Sequence, residues 1–194
     1  MIRLCDILFS LSGLILGSPI FLILSVWIKM DSRGPVLFKQ ERVGRNGQDY
    51  ILYKFRSMFV NLNNSSLITI GNRDPRITSS GYFIRRYKLD EFPQLINVLF
   101  GQMSLVGPRP EVRKYVNLYN DEQKIILSAR PGITDYASIR FVNENELLSK
   151  SSDPERTYID EIMPLKIELN KIFINSPTLK NYFKIILSTL KGIF

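Results

Sequence analysis

Histidine is absent from the 194 residues, cysteine occurs once, at Cys5, and tryptophan once, at Trp27. Without imidazole there is no histidine general base and no His-ligated zinc, and a lone thiol excludes an internal disulfide. Acid–base or nucleophilic work therefore falls to carboxylates, Lys, Ser or Tyr. Acidic residues are also scarce: 18 Asp and Glu face 26 Lys and Arg, a net charge of +8. Residues 1–111 hold +6 of it and residues 112–194 only +2. Such a surplus suits an anionic membrane or a phosphorylated substrate. No DNA- or RNA-binding signature is present, so no nucleic acid is expected as a partner. The length fits one catalytic domain, and neither a repeat nor a low-complexity tract interrupts it.

What is present begins with an apolar stretch. Ile7 to Ile28 carries no formal charge over 22 residues, about 33 Å as a helix and enough to cross a bilayer core. Ser18-Pro19 falls mid-run, where proline removes a backbone hydrogen bond, and positive charge flanks both ends at Arg3 and at Lys29 and Arg33. A kinked span and a re-entrant helix both satisfy these facts. No small-residue cleavage site follows Ile28, so the segment is expected to be retained.

Beyond a polar exit at residues 29–35, Val36-Leu37-Phe38 and Tyr50-Ile51-Leu52-Tyr53 are β-prone runs joined across Arg45-Asn46-Gly47-Gln48, which predicts a hairpin. Gln40, Arg42, Arg45, Lys54 and Arg56 on its arms read as a solvated edge. Residues 61–66 read as a loop and the likeliest place for length variation. In Asn72-Arg73-Asp74-Pro75-Arg76, two guanidiniums beside a carboxylate make either an ion-pair cluster or a phosphate clamp.

The centre of the chain is Arg85-Arg86-Tyr87-Lys88-Leu89-Asp90-Glu91-Phe92-Pro93-Gln94-Leu95-Ile96-Asn97-Val98, with Gly101 and then Gly107-Pro108-Arg109-Pro110. Proline is tolerated at a helix start, so Asp90 and Glu91 are expected at or just inside a helix N-terminus, with Gly101 as the stop. There the dipole would keep them ionised and favour a phosphate ligand. Taken alone, the pair is more often just a helix cap. Arg109 stands between two prolines that fix their own φ, which would present its fork rigidly to a phosphate.

Together with Phe38-Lys39-Gln40-Glu41-Arg42-Val43-Gly44, Lys54-Phe55-Arg56-Ser57-Met58 and Arg130-Pro131-Gly132-Ile133-Thr134, these motifs resemble the bacterial sugar transferases, in particular the short-form monotopic phosphoglycosyl transferases. The resemblance implies transfer of a phosphosugar from a UDP-sugar to polyprenyl (undecaprenyl) phosphate with release of UMP. It implies Asp90 as nucleophile through an aspartyl-phosphosugar intermediate, Glu91 as its partner, and Mg²⁺ held by Asp90 and Glu91. Lys54, Arg85 and Arg109 are implied as phosphate contacts. Residues 1–30 would form a re-entrant membrane helix kinked at Ser18 and Pro19, and residues 31–194 a cytoplasmic domain on the bacterial inner membrane. The fold expected is α+β, predominantly helical, with a short β-hairpin and amphipathic helices at the lipid interface.

Two stretches depart from the family. Lys88 stands where Ser or Thr is common. Residues 135–140 lack the Gly-aromatic-Ala-Gln form, in a region connected with sugar choice. Farther on, Asp153-Pro154 predicts a helix start, and Ile159, Ile162, Met163, Ile167, Leu169 and Ile172 predict its core face. Leu179, Phe183, Ile186 and Leu190 predict an amphipathic last helix that docks on lipid or on its own domain. A metal-dependent diphosphate hydrolase and a non-catalytic membrane adaptor are the rival functions.

Overall fold

The computed structural model describes residues 1–60 and 74–193. The loop expected at residues 61–66, and Asn72 and Arg73, lie outside them. The first element is a long helix, α1 (Ile2–Asp31), with only Asp6, Ser10, Leu24 and Ile28 buried. Pro19 lies inside it. Its missing N–H leaves the Ile15 carbonyl without an intrahelical donor, and the Ser18 hydroxyl donates to that carbonyl at 2.8 Å. The serine thus satisfies what the proline frees, and the helix continues.

The predicted hairpin follows as β1 (Leu37–Val43) and β2 (Asp49–Phe55), paired antiparallel from Leu37↔Phe55 to Val43↔Asp49. Asn46 at φ 57° and Gly47 at φ 74° turn the chain, as Asn-Gly predicts. The solvated-edge reading of its charges fails for most of them. Arg56 is buried and donates to the carbonyls of Ile28, Ser32 and Arg33, closing the end of α1. Arg42 and Lys54 are nearly buried, their side chains 17% and 18% exposed. The reason is pairing: each shares a hairpin face with buried Leu52, and that face turns inward.

Helix α2 (Ser79–Arg86) is capped by the Thr78 side chain, which accepts from the Gly81 N–H. Helix α3 (Gln94–Leu99) starts after Pro93 and stops at Gly101, whose φ of 82° is the left-handed exit that glycine permits. Strand β3 (Ser104–Val106) precedes α4 (Arg113–Val116) and runs parallel to β4 (Gly132–Thr134). A Cβ on Gly107 would strike the Arg130 carbonyl, so the two proline-glycine motifs approach each other only because both carry glycine at the crossing.

Short helices α5 (Tyr136–Arg140) and α6 (Glu144–Ser149) lead to α7 (Pro154–Thr157), which starts where Asp153-Pro154 predicts. It runs through a π turn at Tyr158–Ile162 into α8 (Met163–Asn175). Ile162, Met163 and Ile167 are buried as expected, but Ile172 is exposed and Leu169 half-buried. Asn170 and Phe173, at steps of three from Ile167 on the α-helical face that Met163 and Ile167 set, point inward instead.

The last helix, α9 (Leu179–Ile193), docks through Tyr182 and Ile185, with Ile186 the member of the expected stripe that packs against the same core. Phe183, Leu187 and Leu190 stay exposed. Phe183 meets Phe9 of α1 edge to face, so the outward apolar faces of the two helices are continuous. The architecture is mostly helical with a short two-stranded hairpin and one long apolar N-terminal helix.

Candidate active site

Helix α2 ends with Arg85 and Arg86, and the chain then reverses through Lys88, a left-handed residue at φ 56° and ψ 21°. A side chain other than glycine pays about 1 kcal/mol for that conformation. Asp90 and Glu91 follow in a 3₁₀ turn, Leu89–Glu91, ahead of α3 and not inside it. A helix of six residues has little dipole to offer, so side chains set the charge of this pair.

Asn97 fixes the pair against the hairpin. Its amide donates to the Ile51 carbonyl at 2.7 Å and accepts from the Tyr53 N–H at 3.1 Å. That brings Lys54 Nζ to 3.7 Å from Glu91 Oε1. From the other side Arg109 donates to both Glu91 oxygens. Its backbone N–H is held by Asp135 Oδ2 at 2.9 Å, and that carboxylate also accepts from Asn170 at 2.8 Å. The Gly107-Pro108-Arg109-Pro110 loop is therefore clamped at its backbone while its guanidinium reaches the dyad.

The two carboxylates differ sharply. Burial pushes Glu91 up, but Arg109 and Lys54 override it and hold its carboxyl at about 2. Asp90 makes no hydrogen bond or ion pair with a described residue, and burial together with the Glu91 charge raises its pKa. Burial and side-chain charges, not the helix dipole of the expectation, are what shift these two groups. One acid is clamped as an anion by two cations, and the other is left free beside it, with Lys54, Arg85 and Lys88 pulling back toward the charged form. Burial lowers Lys54 to about 8 despite Glu91.

Asp90, Glu91, Lys54 and Arg109 are therefore brought together. Arg85 contributes its charge to Asp90 and to Asp74, and its guanidinium makes no hydrogen bond or ion pair with a described residue. Ser18 and Pro19 lie in α1, where the Ser18 hydroxyl bonds its own helix and not this cluster. Asp74 pairs with Arg76 through Nε at 2.8 Å, which favours the local ion-pair reading of that motif.

Sequence reasoning missed a polar group beside the site. Arg42 Nη1 stands 3.8 Å from Glu111 Oε2, and the other Glu111 oxygen accepts from the buried Tyr158 hydroxyl. Arg42 was legible as charged but not as inward; its spacing of two from Gln40, opposite apolar Leu52, was the available signal.

Among the described residues, no three or more His, Cys, Asp or Glu side chains converge on one point. The dyad offers two carboxylates to a cation, leaving the remaining positions to water or substrate oxygens. Mg²⁺ favours that donor set.

A family model described as bacterial sugar transferase matches residues 1–194. The chain is 38% identical over 199 residues to UDP-glucose:undecaprenyl-phosphate glucose-1-phosphate transferase of Klebsiella pneumoniae, covering 98% of this chain and 39% of that protein. It is 38% identical over 202 residues to galactosyl transferase CpsE of Streptococcus agalactiae, covering 98% and 41%. It is 45% identical over 146 residues to exopolysaccharide production protein PSS of Rhizobium leguminosarum, covering 71% and 72%. The chain thus spans about two fifths of the length of the first two relatives.

Proposed function

The chain belongs to the bacterial sugar transferase family, and from that premise we propose that it is a phosphoglycosyl transferase moving a phosphosugar from a UDP-sugar to undecaprenyl phosphate. The name of the Klebsiella relative supports the reaction class, and that of the Streptococcus relative supports transfer of a sugar. The observation that carries the reading is the asymmetry of the dyad: among the described residues the Asp90 carboxylate has no hydrogen-bond or ion-pair partner, while Glu91 is neutralised by Arg109 and Lys54. A nucleophile needs a free oxygen, and an anion approaching a diphosphate needs neighbouring cations.

In this reading an Asp90 oxygen attacks the sugar-bearing phosphorus. The bond to the bridging oxygen breaks, and its electron pair leaves with UMP. An oxygen of the lipid phosphate then attacks the same phosphorus, and the Asp90–phosphorus bond breaks to free the carboxylate. Asp90 and Glu91 are the residues that would hold Mg²⁺, which when bound neutralises phosphate charge. Lys54 and Arg109 orient the diphosphate, and Arg85, in the last turn of α2, meets the incoming lipid phosphate.

Helix α1 is read as the re-entrant element that sets the domain on the cytoplasmic face of the inner membrane. Support comes from its two ends. Arg3 donates to the Val98 and Leu99 carbonyls, while Asp31 accepts from Ser80, so both ends dock on one domain. Exposed Trp27, Phe83, Tyr87, Phe92 and Phe100 supply aromatic side chains of the kind that sit at a membrane interface.

Intact-protein mass spectrometry tests the covalent step. Incubation with Mg²⁺ and a panel of UDP-sugars, without lipid acceptor, is expected to add one phosphosugar mass to the wild type and none to Asp90→Asn, with UMP released in parallel. Steady UMP release without an adduct would instead indicate a hydrolase.

A further inference from the structure

The hairpin carries a second cation that this mechanism does not use. Arg42 is the register partner of Tyr50, Gln40 of Leu52 and Phe38 of Lys54. Cross-strand partners share a face and alternate residues repeat it, so Lys54, Gln40, Arg42 and Tyr50 all lie on the inward side. The Lys54 end of this face meets Glu91. From there Arg42 is four residues along the strand, about 13 Å at the backbone, a gap that a long side chain narrows.

Arg42 is poorly satisfied for so enclosed a group. Nη2 donates to Gln40 Oε1 at 2.8 Å, Nη1 stands 3.8 Å from Glu111, and the buried Nε has no partner among the described residues. The Tyr50 hydroxyl is likewise buried and without a partner among the described residues, on a residue only 8% exposed. Arg109 is close enough to disfavour the Arg42 charge, and both guanidiniums act on the Tyr50 hydroxyl. Unused donors of two buried side chains, beside a second guanidinium, constitute a cost that an anion removes.

We propose that Arg42 and the Tyr50 hydroxyl form a second phosphate subsite, which receives the phosphate of the departing nucleoside monophosphate. The inference rests on the transferase reading above. A phosphate has two sources in that reaction, and the hairpin distinguishes them. Leu37 and Phe55, at the Lys54 end, pack with Leu24 and Ile28 of α1, whereas Val43, next to Arg42, belongs to the core built by α4 and α8. The lipid phosphate arrives from the α1 side and the soluble nucleotide from the opposite end. When the bridging bond breaks, negative charge grows on the leaving oxygen, and a preset guanidinium there lowers the barrier as well as holding the product.

The test uses the full chain in lipid nanodiscs, with UMP as inhibitor and undecaprenyl phosphate as varied acceptor. Arg42→Met is expected to weaken UMP inhibition about tenfold or more, and Tyr50→Phe about threefold, with the acceptor KM unchanged in both. Tyr50→Phe keeps the ring and deletes only an unpartnered hydroxyl, so it stays folded and decides the matter if Arg42→Met does not fold. UMP inhibition of both variants equal to wild type overturns the subsite alone. A raised acceptor KM with unchanged UMP inhibition overturns it in favour of the lipid phosphate. A wild type that neither releases nor binds UMP removes the transferase reading, and the subsite with it.

Discussion

The hydroxyl of Tyr182 donates to Asp6 Oδ1 at 2.9 Å, joining the last helix to the first turns of the first across 176 residues. The same oxygen accepts from Ser104 Oγ at 2.9 Å and from the Leu105 N–H at 3.0 Å. One carboxylate thus ties α1, α9 and the start of the parallel strand pair into a single buried knot.

Removing the acceptor must cost more than removing one donor. Tyr182→Phe leaves Asp6 two donors and is expected to cost about 1 kcal/mol, whereas Asp6→Ala strands three buried donors and is expected to cost about 3 kcal/mol or more. In a chain of this size each kcal/mol lowers the melting midpoint by about 3 °C. Thermal melts in detergent check the order; equal midpoints for the two variants would contradict it.

Arg109 is expected to act on the reaction far more than on the fold. Its guanidinium reaches Glu91 from a loop whose shape is fixed by backbone contacts to Asp135 and to residues 131–134. Arg109→Ala should therefore keep the melting midpoint within a few degrees and reduce kcat/KM by about 10²-fold to 10³-fold, the usual loss for one preset charge at a reacting centre. An unaltered rate would remove Arg109 from the site. Arg109→Lys should restore only part of the activity, because an ammonium cannot span both Glu91 oxygens.

Much of this site was legible in sequence. Asp90 and Glu91 beside Pro93, with Gly101 as the stop, located the loop and helix correctly, since proline and glycine impose local geometry that tertiary packing does not override. The Asn46-Gly47 hairpin was legible for the same reason. The unequal charging of the dyad was not. It depends on Arg109, 18 residues from Glu91 in sequence, and on Lys54 from a separate strand. The burial of Arg42 and Arg56 was also hidden, because a charged residue on a strand usually marks an exposed edge and only the pairing register reveals which face is covered. On α8 the apolar Leu169 and Ile172 fall off the 3.6-residue face that Met163 and Ile167 set, and polar Asn170 takes a place on it.

Lys54 supplies a pH dependence whose sign is fixed. Burial lowers it from 10.5 to about 8. Between those values the unfolded chain binds a proton that the native protein does not, so this residue's contribution to stability rises with pH across that window. Comparing metal-free wild type with Lys54→Met between pH 7 and 10.5 isolates it from the tyrosines, which titrate in both. The wild type is expected to gain stability relative to the variant as pH rises through 8. A constant difference would mean that Lys54 keeps an ordinary pKa in the folded protein.

The last prediction concerns the side of the membrane on which α1 begins. A straight helix of 30 residues is about 45 Å long, and a crossing helix would set its ends apart by a hydrocarbon core of about 30 Å. Yet Arg3 is bonded to the end of α3, and Asp31 accepts from the Ser80 N–H and hydroxyl at 2.9 and 2.8 Å at the start of α2. Those partners belong to one domain, which cannot lie on both faces at once. In a Cys5→Ser background, Met1→Cys and Lys180→Cys are therefore expected to react with an impermeant maleimide in inverted vesicles and to stay unlabelled in intact spheroplasts. Labelling of residue 1 alone in spheroplasts would require Arg3 and Asp6 to leave the domain that now holds them, and would exclude the re-entrant arrangement.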